Sequence, residues 1–257
     1  MQKQKLNIIK VGGQVVEEPD TLAALLAGFA CLDGLKALVH GGGRAATRIA
    51  SQLGIESRMV AGRRVTDEAM LNVVTMVYGG LVNKTVVARL QSMGVNALGL
   101  TGADLNYMLS DKRPVKDVDY GFVGDVRRVD SEILADLVRR GVVPVLAPLT
   151  HDGRGNMLNT NADTIASEAA TAFARHFDVT LTFCFEKKGV LSNPDDEESV
   201  IPQIDRELFA RYVADGTIQG GMIPKLENAF AAIDSGVSRV VITRADMLGT
   251  DSGTVIV

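Results

Sequence analysis

Hydrophobic residues recur along this chain in two alternating patterns. Short runs rich in leucine and β-branched residues, at 6–11, 35–39, 95–100, 142–147, 179–185 and 238–243, read as buried strands. Longer stretches between them repeat their apolar positions at helical spacing and predict helices over 20–31, 44–53, 67–92, 131–140, 163–176, 205–214 and 225–235. Such alternation predicts an α/β fold, a three-layer sandwich with helices on both faces of a mostly parallel central sheet.

The stretch 67–92 is the longest helix, with Thr66 as its expected N-cap. Met70, Val73, Val74, Val77 and Leu81 form one apolar stripe along it, which reads as core or, more sharply, as a dimer contact. Gly79 and Gly80 interrupt the helix at a cost of about 1 kcal/mol each relative to alanine, tolerable where another helix packs closely. Residues 101–128 are broken by Gly102, Asp104, Asp111, Pro114, Gly121 and Gly124, and read as loops or a hairpin beside the sheet. Thr150 to Gly153 reads as a turn, and 154–161 as a second hairpin. The simplest division is two lobes, 1–150 and 151–257, on one continuous sheet, because no linker separates them.

Composition narrows the function classes. The net charge of −4 in 257 residues argues against nucleic acid as the main partner. Cys31 and Cys184 lie far apart inside apolar runs and read as buried, reduced thiols. No secretory leader and no bilayer-length apolar run is read, so the expected location is the cytoplasm, with no membrane partner. His40, His151 and His176 are too few and scattered for a metal site, and no protein metal ligand is expected.

The candidate chemistry sits where strands end. Lys10 closes the first strand and is followed by Gly12 and Gly13; the second strand runs into His40, Gly41, Gly42 and Gly43. Glycine after a strand turns the chain and bares amides that bind phosphate or carboxylate. Arg63 and Arg64 precede a helix, where a guanidinium fork suits a carboxylate. Asn159 to Asp163 precede another helix, with Asp163 an N-cap by default, and Gly220, Gly221 and Lys225 precede a third. Two other patterns fail on context. Gly80 to Thr85 imitates the tail of a P-loop but lies within a helix, and Gly41 to Ala46 fits G-x-G-x-x-A without its acidic partner.

Taken in order, Ile8 to Gly13, His40 to Gly43, Arg64 to Asp67, Asn159 to Asp163 and Gly220 to Lys225 resemble the amino acid kinase family, and within it the branch acting on acylated glutamate. Asn83 to Thr85 also resembles that branch's long helix. The resemblance implies MgATP-dependent phosphorylation of the side-chain carboxylate of N-acetyl-L-glutamate to an acyl phosphate, in arginine biosynthesis. Alternatives are N-succinyl-L-glutamate as acceptor, with the unusual Arg63 serving the extra acid, or a non-catalytic effector-binding member. By similarity Lys10 and Lys225 flank the transferred phosphoryl group and Asp163 holds both ammonium groups. Gly12 and Gly13 approach the phosphate, Gly42 and Gly43 receive the reacting carboxylate, and Arg64 and Asn159 hold the rest of the substrate. Glu186, Lys187, Lys188, Gly189, Leu191, Gly220 and Gly221 are expected at the nucleotide, with Mg2+ carried by ATP. The segment from Arg244 to Thr254 looks short for the family. The expected assembly is a homodimer through 67–92. The early first strand suggests that arginine feedback is absent.

Overall fold

The computed structural model describes residues 3–220, 222–250 and 252–257. Its centre is one eight-stranded sheet. From edge to edge the strands are Gln203–Ile204, Thr254–Ile256, Arg239–Arg244, Asp178–Phe185, Lys5–Val11, Leu35–His40, Val143–Leu146 and Ala97–Leu100. All pairs are parallel except Arg239–Arg244 with Thr254–Ile256. The sheet draws strands from both sides of residue 150, as the missing linker implies.

Alternation along the first strand divides the core. Leu6 and Ile8 face helices Ser131–Arg139, Ala162–Ala174 and Met222–Asp234, whereas Ile9 and Val11 face helix Pro19–Cys31 and the end of the long helix. Lys10 shares the face of Ile8, so it emerges beside the start of helix Ala162–Ala174. A third core joins Ala45, Ala46 and Ala50 of helix Gly43–Gln52 to the inner side of the long helix.

The long helix departs from the expected stripe. Its N-cap is Asp67, whose carboxylate accepts from the Met70 amide; Thr66 instead donates to the Arg64 carbonyl. From Thr75 to Val82 the helix is π-wound, with more residues per turn than an α-helix. Met70, Val73, Val74 and Val77 are buried as expected, but the wider winding turns Tyr78 and Val82 inward and leaves Leu81 53% exposed. Gly79 packs against Leu149, at the start of strand Leu149–His151, and Thr101 of a loop rather than against another helix. By length and composition the helix Glu68–Ser92 would suit a bilayer, contrary to the sequence reading. In the fold its polar residues Asn83 and Lys84 bond to the Val145 and Gly99 carbonyls of the central sheet.

The irregular segment after residue 100 forms the hairpin Met108–Lys112 with Gly124–Val129. It joins Leu149–His151 and Met157–Asn159 in a four-stranded sheet. Cys184 is buried as expected, but Cys31 is exposed at the end of its helix, because Leu25, Leu26 and Phe29 take the inward positions.

Candidate active site

A cleft of about 980 Å3 opens at the C-terminal ends of the first strand and of Asp178–Phe185. Their onward connections run to opposite sides of the sheet, the place where open α/β sheets bind ligands. The cleft brings together Lys10, Gly12, Gly13, Gly42, Gly43, Arg64, Asn159, Asp163, Glu186, Lys187, Gly189 and Lys225. Three of the expected nucleotide residues do not line it. Lys188 turns back to an ion pair with Glu198, Leu191 bridges to Val200, and Gly220 is exposed on its turn. Gly221 lies outside the described residues.

The two glycine turns face each other. The Gly41 amide donates to the Val11 carbonyl, and a Cβ on Gly41 would stand 3.0 Å from the Gly13 nitrogen. A Cβ on Gly13 would in turn meet the Gly42 and Gly43 nitrogens at 3.6 and 3.5 Å. The two turns therefore pack backbone against backbone, most tightly at Gly41, where a side chain would crowd Gly13.

Behind this cradle lies a buried polar chain absent from the expected site. His40 Nδ1 is 2.7 Å from the Gly41 carbonyl oxygen and its Nε2 is 3.0 Å from Asn83 Nδ2. Lys84 Nζ donates to Asn83 Oδ1, so Asn83 Nδ2 faces both His40 and the Val145 carbonyl. Nε2 is thus the acceptor, and Nδ1–H donates to the Gly41 carbonyl. In a trans peptide the next N–H points the opposite way, so the Gly42 amide is turned from the ring toward the cleft. Burial lowers the His40 pKa to about 4, in keeping with a neutral ring.

Arg64 is buried at the other end. Its Nη1 donates to Ser57 Oγ at 2.9 Å, and its Nη2 donates to the Gly43 carbonyl and Thr47 Oγ1 at 2.8 Å each. Asn159 joins it through the segment after Tyr120. Phe122 N donates to the Thr66 carbonyl, Asn159 N to the Phe122 carbonyl, and Asn159 Nδ2 to Thr66 Oγ1. Arg63 is exposed at the cleft mouth.

At the strand ends Lys10 Nζ lies 2.7 Å from Asp163 Oδ1. Asp163 is not the N-cap of its helix; Asn161 takes that place, accepting from the Asp163 and Thr164 amides at 2.7 and 3.3 Å. The Asp163 side chain is thereby left for Lys10. Lys225 enters from helix Met222–Asp234, with its Nζ 4.1 Å from the centre of the Phe185 ring. Crowding by the cleft walls lowers its pKa, opposed by Asp163 and reinforced by Lys10. The resulting arrangement sets two cations beside an amide cradle and places a buried guanidinium at its far side. Such a site can hold an anionic acceptor and neutralise charge on a transferred phosphoryl group. Asn83, His40 and Phe185 were missed as a site because each acts through a partner distant in sequence.

Comparison with known proteins agrees with this geometry. The family model described as the amino acid kinase family matches residues 5–244. The acetylglutamate kinase of Bacteroides fragilis (strain ATCC 25285) is 68% identical over 252 residues, covering 98% of this chain and 97% of the relative. That of Parabacteroides distasonis is 66% identical, covering 98% of each chain. Among solved structures, smu.665 from Streptococcus mutans UA159 is 29% identical with a TM-score of 0.80, covering 98% of each chain. Sequence likeness and strand-end geometry thus span the same residues, and the chain belongs to the amino acid kinase family.

Proposed function

We propose that this kinase transfers the γ-phosphoryl group of ATP to the side-chain carboxylate of N-acetyl-L-glutamate in arginine biosynthesis. The carrying observation is the placement of Lys10, Asp163 and Lys225 against the facing glycine turns, with buried Arg64 across the cleft. The names and high identity of the full-length relatives favour the acetyl acceptor over the succinyl one. Arg63, on which the succinyl reading rests, is exposed at the mouth rather than set into the pocket wall. Retention of both lysines and the carboxylate speaks against a binding protein without chemistry.

The acceptor carboxylate is ionised at neutral pH, so the chain supplies no base. A carboxylate oxygen attacks the γ-phosphorus, the bond to the β–γ bridging oxygen breaks, and ADP leaves with that electron pair. Lys10 and Lys225 offset charge on the phosphoryl oxygens, and the Gly13, Gly42 and Gly43 amides orient the reacting groups. Arg64 grips the α-carboxylate, exchanging a hydroxyl partner for a carboxylate oxygen, while Asn159 bonds the acylamino group. Glu186, Lys187 and Gly189 border the nucleotide. In this reading Mg2+ enters with ATP as part of the substrate, held by its phosphates.

In this reading residues 1–150 form the acylglutamate and dimerisation lobe and 151–257 the nucleotide lobe, acting in the cytoplasm. Met76 and Leu81, 55% and 53% exposed on the outer side of the long helix, supply an apolar face for a homodimer. The test is turnover of MgATP with N-acetylglutamate in hydroxylamine, which converts the acyl phosphate to a hydroxamate. Hydroxamate formation supports the proposal; its absence under conditions where the protein is folded and binds ATP overturns it.

A further inference from the structure

Lys225 is the cation that the ion pairs leave unanchored. Asp163 closes on Lys10, and among the described residues no carboxylate lies within ion-pair distance of Lys225 Nζ. What stands beside Lys225 is an aromatic ring. Its Nζ is 4.1 Å from the centre of Phe185, and Lys10 Nζ is 5.3 Å from the same centre.

Strand register puts the ring there. Lys10 lies opposite Phe183, and the two-residue period carries Phe185 to the same face, just beyond the end of the first strand. The Phe183 ring stacks with it, parallel within 6° and 6.0 Å between centres, which limits the tilt open to Phe185. The face of an aromatic ring carries negative charge and attracts a cation. A second carboxylate in this position would hold Lys225 more strongly. It would also repel the incoming phosphates and compete with them for the ammonium's donors. A ring face attracts the cation while bringing no formal negative charge.

We propose that Phe185 is a positioning residue whose ring face holds Lys225, and more weakly Lys10, at the transfer point with their N–H groups free for the phosphoryl oxygens. The proposal rests on the reading of Lys225 as a phosphoryl-neutralising residue. It also explains how a lysine open to the cleft is kept beside a like charge. The ring adds to the Asp163 and Glu186 carboxylates in favouring the charged ammonium, against the burial and the Lys10 charge that lower its pKa.

The test replaces Phe185 with mono-, di- and trifluorophenylalanine, which drain charge from the ring face with little change in volume. Each protein is assayed for hydroxamate formation from MgATP and N-acetylglutamate across the alkaline pH range. The expected result is a stepwise fall in kcat reaching between about twofold and about thirtyfold, with little change in either KM. The alkaline limb of the kcat profile should move to lower pH, while Phe185→Tyr, which keeps the ring face, should remain near wild type. A flat kcat and an unmoved limb across the fluorinated series overturn the proposal, even if Phe185→Leu is impaired, because the ring would then act only as bulk. Lys225→Met separates the two readings. Full activity there removes the catalytic role on which the proposal rests. A large loss there with a flat fluorinated series removes the Phe185 inference alone.

Discussion

Gly42 lies where the glycine cradle meets the π-wound part of the long helix, and alanine there tests both. A Cβ on Gly42 would stand 2.9 Å from Tyr78 Cδ1, 3.1 Å from Tyr78 Cε1 and 3.5 Å from Val82 Cγ2. Ordinary carbon contacts lie near 3.5–4.0 Å, so either the ring or the turn must yield by roughly half an ångström. The ring is buried beside Arg64, and the turn carries the amides that face Gly13. Neither yields freely. Overpacking of this kind costs about 1–3 kcal/mol, and for a chain of this size each kcal/mol lowers the melting midpoint by about 2–4 °C. If the turn yields, the Gly42 and Gly43 amides leave their place, and a misplacement approaching 1 Å costs about a hundredfold in rate. Gly42→Ala should therefore melt several degrees lower and lose at least about tenfold in kcat/KM for N-acetylglutamate in the hydroxamate assay. Tyr78→Leu opens the space that the new methyl needs. In a double-mutant cycle the two changes should couple by more than about 0.5 kcal/mol in the direction of rescue. Wild-type melting and kcat/KM for Gly42→Ala, or strict additivity with Tyr78→Leu, would refute the packing argument.

Asp163→Asn removes the carboxylate that pairs with nearly buried Lys10. kcat should fall by about a hundredfold with folding retained by circular dichroism, and an unchanged kcat would exclude the pairing role. His40 has a folded pKa of about 4, below its ordinary value of 6.5, so its stabilisation is complete above pH 6.5 and is lost as pH falls toward 4. The loss should approach about 3 kcal/mol in urea melts, and a His40→Asn variant should lack that part of the acid sensitivity; an equal slope would show that His40 does not titrate in this window. Replacing both Met76 and Leu81 by aspartate should convert a dimer to a monomer by light scattering, whereas a surviving dimer would place the interface elsewhere.

The main sheet was legible because its strands are buried on both faces and read as continuous apolar runs. All six expected strands occur, with ends within two residues of the reading. The edge strand Gln203–Ile204 and its neighbour Thr254–Ile256, the small hairpin Met59–Val60 with Arg63–Arg64, and the helix Gly13–Glu17 are too short to show a period. The cluster of Lys10, Gly13, Gly42 and Arg64 was also legible, since strand-end glycines and a pre-helical arginine announce themselves locally. Asp163 was harder. Its place in the first helical turn reads as a cap, and only the preceding Asn161, which takes the cap itself, frees the carboxylate for Lys10.

The residues that sequence reading missed share one physical origin. Phe185 matters because strand pairing puts it past Lys10, and His40 matters because Asn83 reaches it across 43 residues. Asn83 follows directly on the π-wound segment, whose wider winding also turns Tyr78 and Val82 inward. The same winding carries Leu81 outward and breaks the stripe that a 3.6-residue period predicts. One irregular segment therefore shapes two surfaces at once. Its inner side backs the glycine cradle with the Tyr78 ring and leads into Asn83, and its outer side exposes Met76 and Leu81. Helical periodicity alone reads neither surface correctly, because both follow from the residues that the wider turn adds. The Gly79–Gly80 pair lies within that turn and is the sequence's only mark of it: Gly79 has Leu149 against it, while Gly80 faces open space. A pair that costs helix stability on one side and is unconstrained by packing on the other is best explained by the wider turn itself.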